Sequence, residues 1–317
     1  MGNPSVAFSF KLPYTMAEMI AQAYPAHFTE LSDTEGQSKT QPTNSSTPIP
    51  PVARCQSWLS RGRLIGLLYL ATIIAAELIT NFVDTEGGIT LFTFILIGLI
   101  AHSSLTRDNS LRSLLLALCL VPLVRVVGFS IPLGELRQIY WYPIIYTPLL
   151  VATFLVMRHL NIRPVEVGLT IKRQQIRSQL LLATSGVALG IAEYVILKPH
   201  PLISELTLAS VILPALILII FTGFVEELVF RGLLQKVSSG LLGDWGGIVY
   251  VSVLFAILHV GYVQGVWHRT VWDVPLVFAI ALFFSWIVKR TGSLVGVTLS
   301  HSLTNIGLFL VIPFLFN

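Results

Sequence analysis

The stretch Thr207–Leu234, TLASVILPALILIIFTGFVEELVFRGLL, decides the fold. It is long and apolar enough to cross about 30 Å of hydrocarbon at about 1.5 Å per residue. Yet it carries Glu226, Glu227 and Arg231. A charged side chain at the centre of a membrane helix costs about 2.5–3.5 kcal/mol, so the three together cost on the order of 8–10 kcal/mol. A flanking Leu or Ile returns only about 0.3–0.6 kcal/mol. The segment can insert, but lipid does not reward keeping these groups. The expected reading is a functional site inside a membrane.

The rest of the chain agrees. Of 317 residues, 54% are hydrophobic and only 11% charged, where a soluble domain is nearer a quarter charged. Mean hydropathy is +0.77. The fold class is therefore all-α, a polytopic membrane helical bundle of eight or nine transmembrane helices. Candidate spans fall near 64–83, 89–105, 111–129, 140–158, 179–197, 207–234, 246–261, 274–290 and 293–313, the seventh being short. Turns are expected at Asp84–Gly88, at Arg107–Asn109 and around Pro199–Pro201.

Three blocks follow. Residues 1–55 are rich in Ser, Thr, Pro and Gln and read as a disordered polar tail, with no apolar core of a signal peptide. Residues 56–204 hold the first helices, and residues 205–317 hold the polar constellation. The net charge of +4 gives no nucleic-acid signal, because the basic residues sit in short loops. Arg54, Arg61 and Arg63 precede the first span, and Arg107 and Arg112 lie between the second and third. Arg158, Arg163, Lys172, Arg173 and Arg177 follow the fourth, and Lys289 and Arg290 follow the eighth. With the N-terminus in the cytoplasm, all four clusters fall on the cytoplasmic side, as positive-inside topology requires. Two cysteines give no disulfide framework. Cys119 reads as a packing residue, and Cys55 stands where palmitoylation is feasible.

The polar residues make a pattern. Glu227 and Arg231 are four apart and can pair on one helix face. Glu226 projects about 100° away from Glu227, so it can face a cavity while Glu227 holds the arginine. His259 follows Phe255 by four in FAILHV, and Asn305 follows His301 by four in SHSLTN. Singly, each has a structural reading: a buried ion pair, a packing histidine, a hydrogen bond between helices. Together, within 80 residues, they supply a base, a histidine partner and oxyanion donors, the parts needed for water to attack an amide. His102, His159, His200 and His268 fall at loops or span ends and read as surface residues. No GxSxG elbow or HExxH helix is present. Two Glu and two His are acceptable zinc ligands, so a metal stays open although no cofactor is required.

At these residues the chain resembles the CPBP family, the CAAX proteases and bacteriocin-processing enzymes also called ABI domains. The family pattern EExxxR, FxxxH and HxxxN stands here as Glu226-Glu227-x-x-x-Arg231, Phe255-x-x-x-His259 and His301-x-x-x-Asn305. The resemblance covers roughly residues 205–313. It implies a glutamate-type intramembrane endopeptidase in which Glu226 and His259 activate water. It further implies that His301 and Asn305 stabilise the oxyanion, while Glu227, Arg231 and Phe255 support the site. The implied partners are membrane lipid and a peptide or protein substrate at the membrane, prenylated in the CAAX branch. Rival readings are a non-catalytic immunity or peptide-binding protein using the same cavity, and a transporter relaying protons through the buried acids.

Overall fold

The computed structural model describes residues 60–131, 136–263 and 267–316. The polar tail with Cys55 lies outside them, as does the His268 side chain. The described chain is helical with no strand. In chain order, α1 is Arg61–Phe82, α2 Thr85–Leu105, α3 Asn109–Ser130, α4 Gln138–His159 and α5 Arg173–Leu197. Then come α6 Leu208–Leu242, α7 Asp244–Ile257, α8 Trp267–Thr291 and α9 Val295–Phe314. Among the described residues eight helices are long and apolar enough to cross a membrane, and α7 is the shorter one.

Local chemistry sets the boundaries. Asp84 caps α2 by accepting from the backbone N–H groups of Glu86 and Gly87. Asp108 caps α3 through Ser110 and Leu111, and Thr207 caps α6 through Ser210. The expected turn at Asp84–Gly88 is therefore tighter than its composition suggests. Gly87 and Gly88 belong to α2, and a Cβ on Gly88 would lie 2.6 Å from the Thr80 backbone. That glycine lets α1 and α2 approach closely. Pro122 denies the Leu118 carbonyl its helical partner, and α3 breaks at Cys119. Cys119 is buried, as its packing role requires. Of the surface histidines, His159 and His200 are exposed, but His102 is half-buried, with Nδ1 3.2 Å from the Tyr69 hydroxyl.

Three of the basic clusters, around Arg63, the loop after α4 and Lys289, converge on one end of the bundle. Arg63 Nε donates to Leu241 O at 3.0 Å. Lys236 pairs with Glu166 at 3.4 Å and Lys289 with Asp244 at 2.6 Å. Leu294 N–H donates to Gly168 O at 2.9 Å. The start of α7 is thus at the basic face, beside the end of α8. The 14 residues of α7 span only about 21 Å at 1.5 Å per residue, short of the hydrocarbon thickness. Its end, and His259 just beyond, therefore lie at membrane depth. One apolar core runs from Leu70 of α1 to Val297 of α9, while Leu68, Phe94, Ile97, Leu181 and Val195 face outward. In lipid those outward side chains are solvated by acyl tails.

Candidate active site

Glu226 and Glu227 lie near the middle of α6, between two wider helical segments. Leu218–Phe224 and Leu228–Leu234 both form π-type turns, bonded five residues apart rather than four. A third spans Gly307–Val311 on α9, just past Asn305. Such turns cost regular hydrogen bonding and gather at functional sites. Pro214 sits one turn before the first of them, where α6 already lacks a backbone donor.

Glu227 is fully buried and holds both Arg231 and His301 with one oxygen. Its Oε1 accepts from Arg231 Nη1 at 3.1 Å and from His301 Nδ1 at 2.8 Å. The expected Glu227–Arg231 pairing is present, and His301 joins it from α9. Arg231 Nε and Nη2 and Glu227 Oε2 have no protein hydrogen bond. Instead the Phe255 ring lies 3.9 Å from the guanidinium carbon, a cation–π contact in a desolvated setting. Phe255 also packs on His259 with centroids 4.5 Å apart and meets the His301 ring edge-on at 6.1 Å. One aromatic ring thereby sets three polar side chains.

Glu226 is 7% exposed and faces the cavity. Its Oε1 accepts from the Tyr146 hydroxyl of α4 at 2.5 Å, and its Oε2 lies 3.8 Å from His301 Nε2. That second distance is beyond a hydrogen bond. His259 Nδ1 lies 2.8 Å from Phe255 O. A carbonyl can only accept, so the proton is on Nδ1, and in the neutral ring Nε2 is the basic nitrogen. Asn305 Nδ2 lies 2.9 Å from Thr222 Oγ1, and Thr222 gives its own proton to Leu218 O at 2.6 Å. The Thr222 oxygen can then only accept, which fixes the Asn305 amide with its NH2 toward α6.

All seven residues named from the sequence line one cavity of about 50 Å³. At roughly 10–15 Å³ per water-sized probe that is room for a few waters. His301 sits between both glutamates, a placement that i,i+4 patterns cannot encode because they say nothing of pairing across helices. Among the described residues, no group of three or more His, Cys, Asp or Glu has metal-binding geometry.

Several contributors lay outside the motifs. Tyr142, Tyr146 and Thr222 have ordinary helical contexts, and no sequence signal marks them. Gly186 and Gly190 do carry one, a small-xxx-small pattern. A Cβ on Gly186 would stand 2.1 Å from Ser300 O, and one on Gly190 2.9 Å from Thr304 O. The glycines let α5 close onto α9, where Ser185 and Ser300 hydroxyls meet at 2.9 Å. On the other side Gly223 of α6 takes Ser302 of α9, with a Cβ there 2.1 Å from its hydroxyl. His301 and Asn305 are held by these two close approaches. Glu77 and Arg125 interrupt apolar runs as plainly as Glu226 does, yet belong to no motif. Arg125 Nε donates to Glu77 Oε2 at 2.9 Å, and its Nη2 donates to Glu77 Oε1 and Leu258 O. The pair clasps the residue preceding His259.

Residues 208–307 match a family model described as type II CAAX prenyl endopeptidase, Rce1-like. The match takes in Glu226, Glu227, Arg231, Phe255, His259, His301 and Asn305. Comparison with curated proteins and with solved structures gave no match.

Proposed function

We propose, on the premise that residues 208–307 form a CAAX-protease-family domain, that the protein is an intramembrane endopeptidase using glutamate-activated water. Glu226 acts as general base on a water in the cavity, with His259 Nε2 as its partner. The water oxygen bonds to the scissile carbonyl carbon while its proton passes to Glu226. Asn305 and a His301 protonated at Nε2 donate to the oxygen that gains the negative charge. The tetrahedral intermediate then collapses, the C–N bond breaks, and the Glu226 proton goes to the leaving nitrogen. Glu227, Arg231 and Phe255 hold His301 and His259 in place. The substrate is a membrane-associated peptide of the CAAX type, carrying an isoprenyl group.

One observation carries this reading. A buried carboxylate, two imidazoles and a primary amide from three separate segments face one cavity sized for water. Such preorganised donors are the largest contribution in acyl transfer. The test is purified protein in proteoliposomes with a farnesylated CAAX peptide. The wild type should release the C-terminal residues, and a folded Glu226→Ala protein should not. Equal cleavage by both would overturn the reading.

A further inference from the structure

The same cavity holds two acids that the mechanism does not use. Glu193 lies about one turn before the end of α5, and Asp273 near the start of the membrane-crossing part of α8. Both helix ends lie away from the basic loops. Asp273 is 1% exposed, and its Oδ1 is fully buried without a hydrogen bond. Leaving a buried acceptor orphaned is unfavourable. Val277 and Ile280, on the same helix, line the cavity with it and offer no donor.

The charge balance points the same way. Four acids line the cavity, Glu193, Glu226, Glu227 and Asp273, against one guanidinium and the His301 ring, both of which are engaged by Glu227. That guanidinium, Arg231, is bonded to Glu227 and covered by Phe255. Arg269 donates to the carbonyl of Leu197, a lining residue, at 2.6 Å. The acids beyond the catalytic pair therefore present acceptors to whatever enters.

We propose that Asp273 and Glu193 form a cation-accepting subsite that binds a Lys or Arg side chain of the substrate beside the scissile bond. An ammonium group brings three donors and one charge, which answers the orphaned Asp273 oxygen and offsets the surplus of carboxylates. Neither residue belongs to the water-activating set, so the subsite governs which peptide is held rather than the chemistry. The proposal rests on the protease reading for its kinetic arm only.

The test uses farnesylated CAAX peptides that carry, at successive positions either side of the scissile bond, Lys or its near-isostere norleucine. Cleavage and equilibrium binding are both measured in proteoliposomes, binding with labelled peptide and the Glu226→Ala protein. At one position the Lys peptide should be preferred at least about tenfold, as expected for a hydrogen bond to a charged group, and the preference should reside in KM. In Asp273→Asn, and more weakly in Glu193→Gln, the Lys-to-norleucine ratio should fall towards one. A wild type that treats the two peptides alike at every position overturns the subsite, as does a preference that survives both substitutions. If no peptide is cleaved but Lys binding still depends on Asp273, the subsite stands and the protease reading fails. If Asp273→Asn does not fold, Glu193→Gln decides by the same ratio.

Discussion

His301 Nδ1 lies 2.8 Å from Glu227 Oε1, the oxygen that also holds Arg231. The histidine of α9 is thereby fixed by the second glutamate of α6, which leaves the first glutamate to the cavity. Glu227→Gln keeps the shape but removes the charge that orients both partners. Turnover should fall at least about tenfold, because hydrogen bonds to a charged group are worth about 1.5–3 kcal/mol, with the protein still inserted. Single-turnover cleavage by purified Glu227→Gln measures it. Unchanged turnover would mean that His301 is held by something else.

Asn305 is expected to act on the transition state alone. Removing one oxyanion donor costs about 10²–10³ in kcat, so Asn305→Ala should lose activity on that scale with KM little changed. Thr222→Val, which removes the acceptor that orients the amide, should cost less. Steady-state kinetics on both variants distinguishes them, and a pure KM effect would place Asn305 in substrate binding instead.

The Glu77–Arg125 pair makes a prediction about stability. The Glu77 side chain is 1% exposed, and breaking a buried pair from one side costs about 3–5 kcal/mol because a charge is left alone. Arg125→Leu should therefore lower the thermal midpoint in detergent markedly. Glu77→Leu together with Arg125→Leu should recover part of the loss. Both variants should cleave slowly, since Leu258 loses its clasp beside His259.

Gly186 and Gly240 make a matched pair on helices. Gly186→Ala puts a methyl group 2.1 Å from Ser300 O, whereas Gly240 has nothing within 4 Å of the added carbon. Overpacking of this kind costs about 1–3 kcal/mol, and here it also pushes away the helix bearing His301. Gly186→Ala should lose both stability and activity, while Gly240→Ala should be neutral or gain a few tenths of a kcal/mol from helix propensity. Loss of function in neither would show that the α5–α9 contact is dispensable.

Much of this arrangement can be read from the sequence. Charged residues in long apolar runs mark Glu226, Glu227 and Arg231, and i,i+4 spacing places Glu227 on Arg231. Apolar length finds the crossing helices, and basic clusters find the loops that the contacts of Arg63, Lys236 and Lys289 gather at one end. What stays hidden is the pairing between helices. His301 meeting both glutamates, Tyr146 reaching Glu226 and Arg125 reaching Leu258 depend on tertiary packing, which no spacing rule encodes. The π-type turns flanking Glu226 are hidden too, because a shift from four- to five-residue bonding leaves no residue pattern of its own. Gly186-x-x-x-Gly190 is a legible signal of a close helix contact. Glu77, Glu193 and Asp273 show that the rule of polar residues in apolar runs extends beyond the family motifs.

The central claim is that Glu226 makes this protein a protease. The most direct measurement compares N-terminal and membrane-peptide proteomes of cells expressing the wild type with those expressing Glu226→Ala at matched abundance. New N-termini, or C-terminal peptides lost, should appear only with the wild type and would name the substrate. Identical proteomes from two folded, membrane-inserted proteins would contradict the claim.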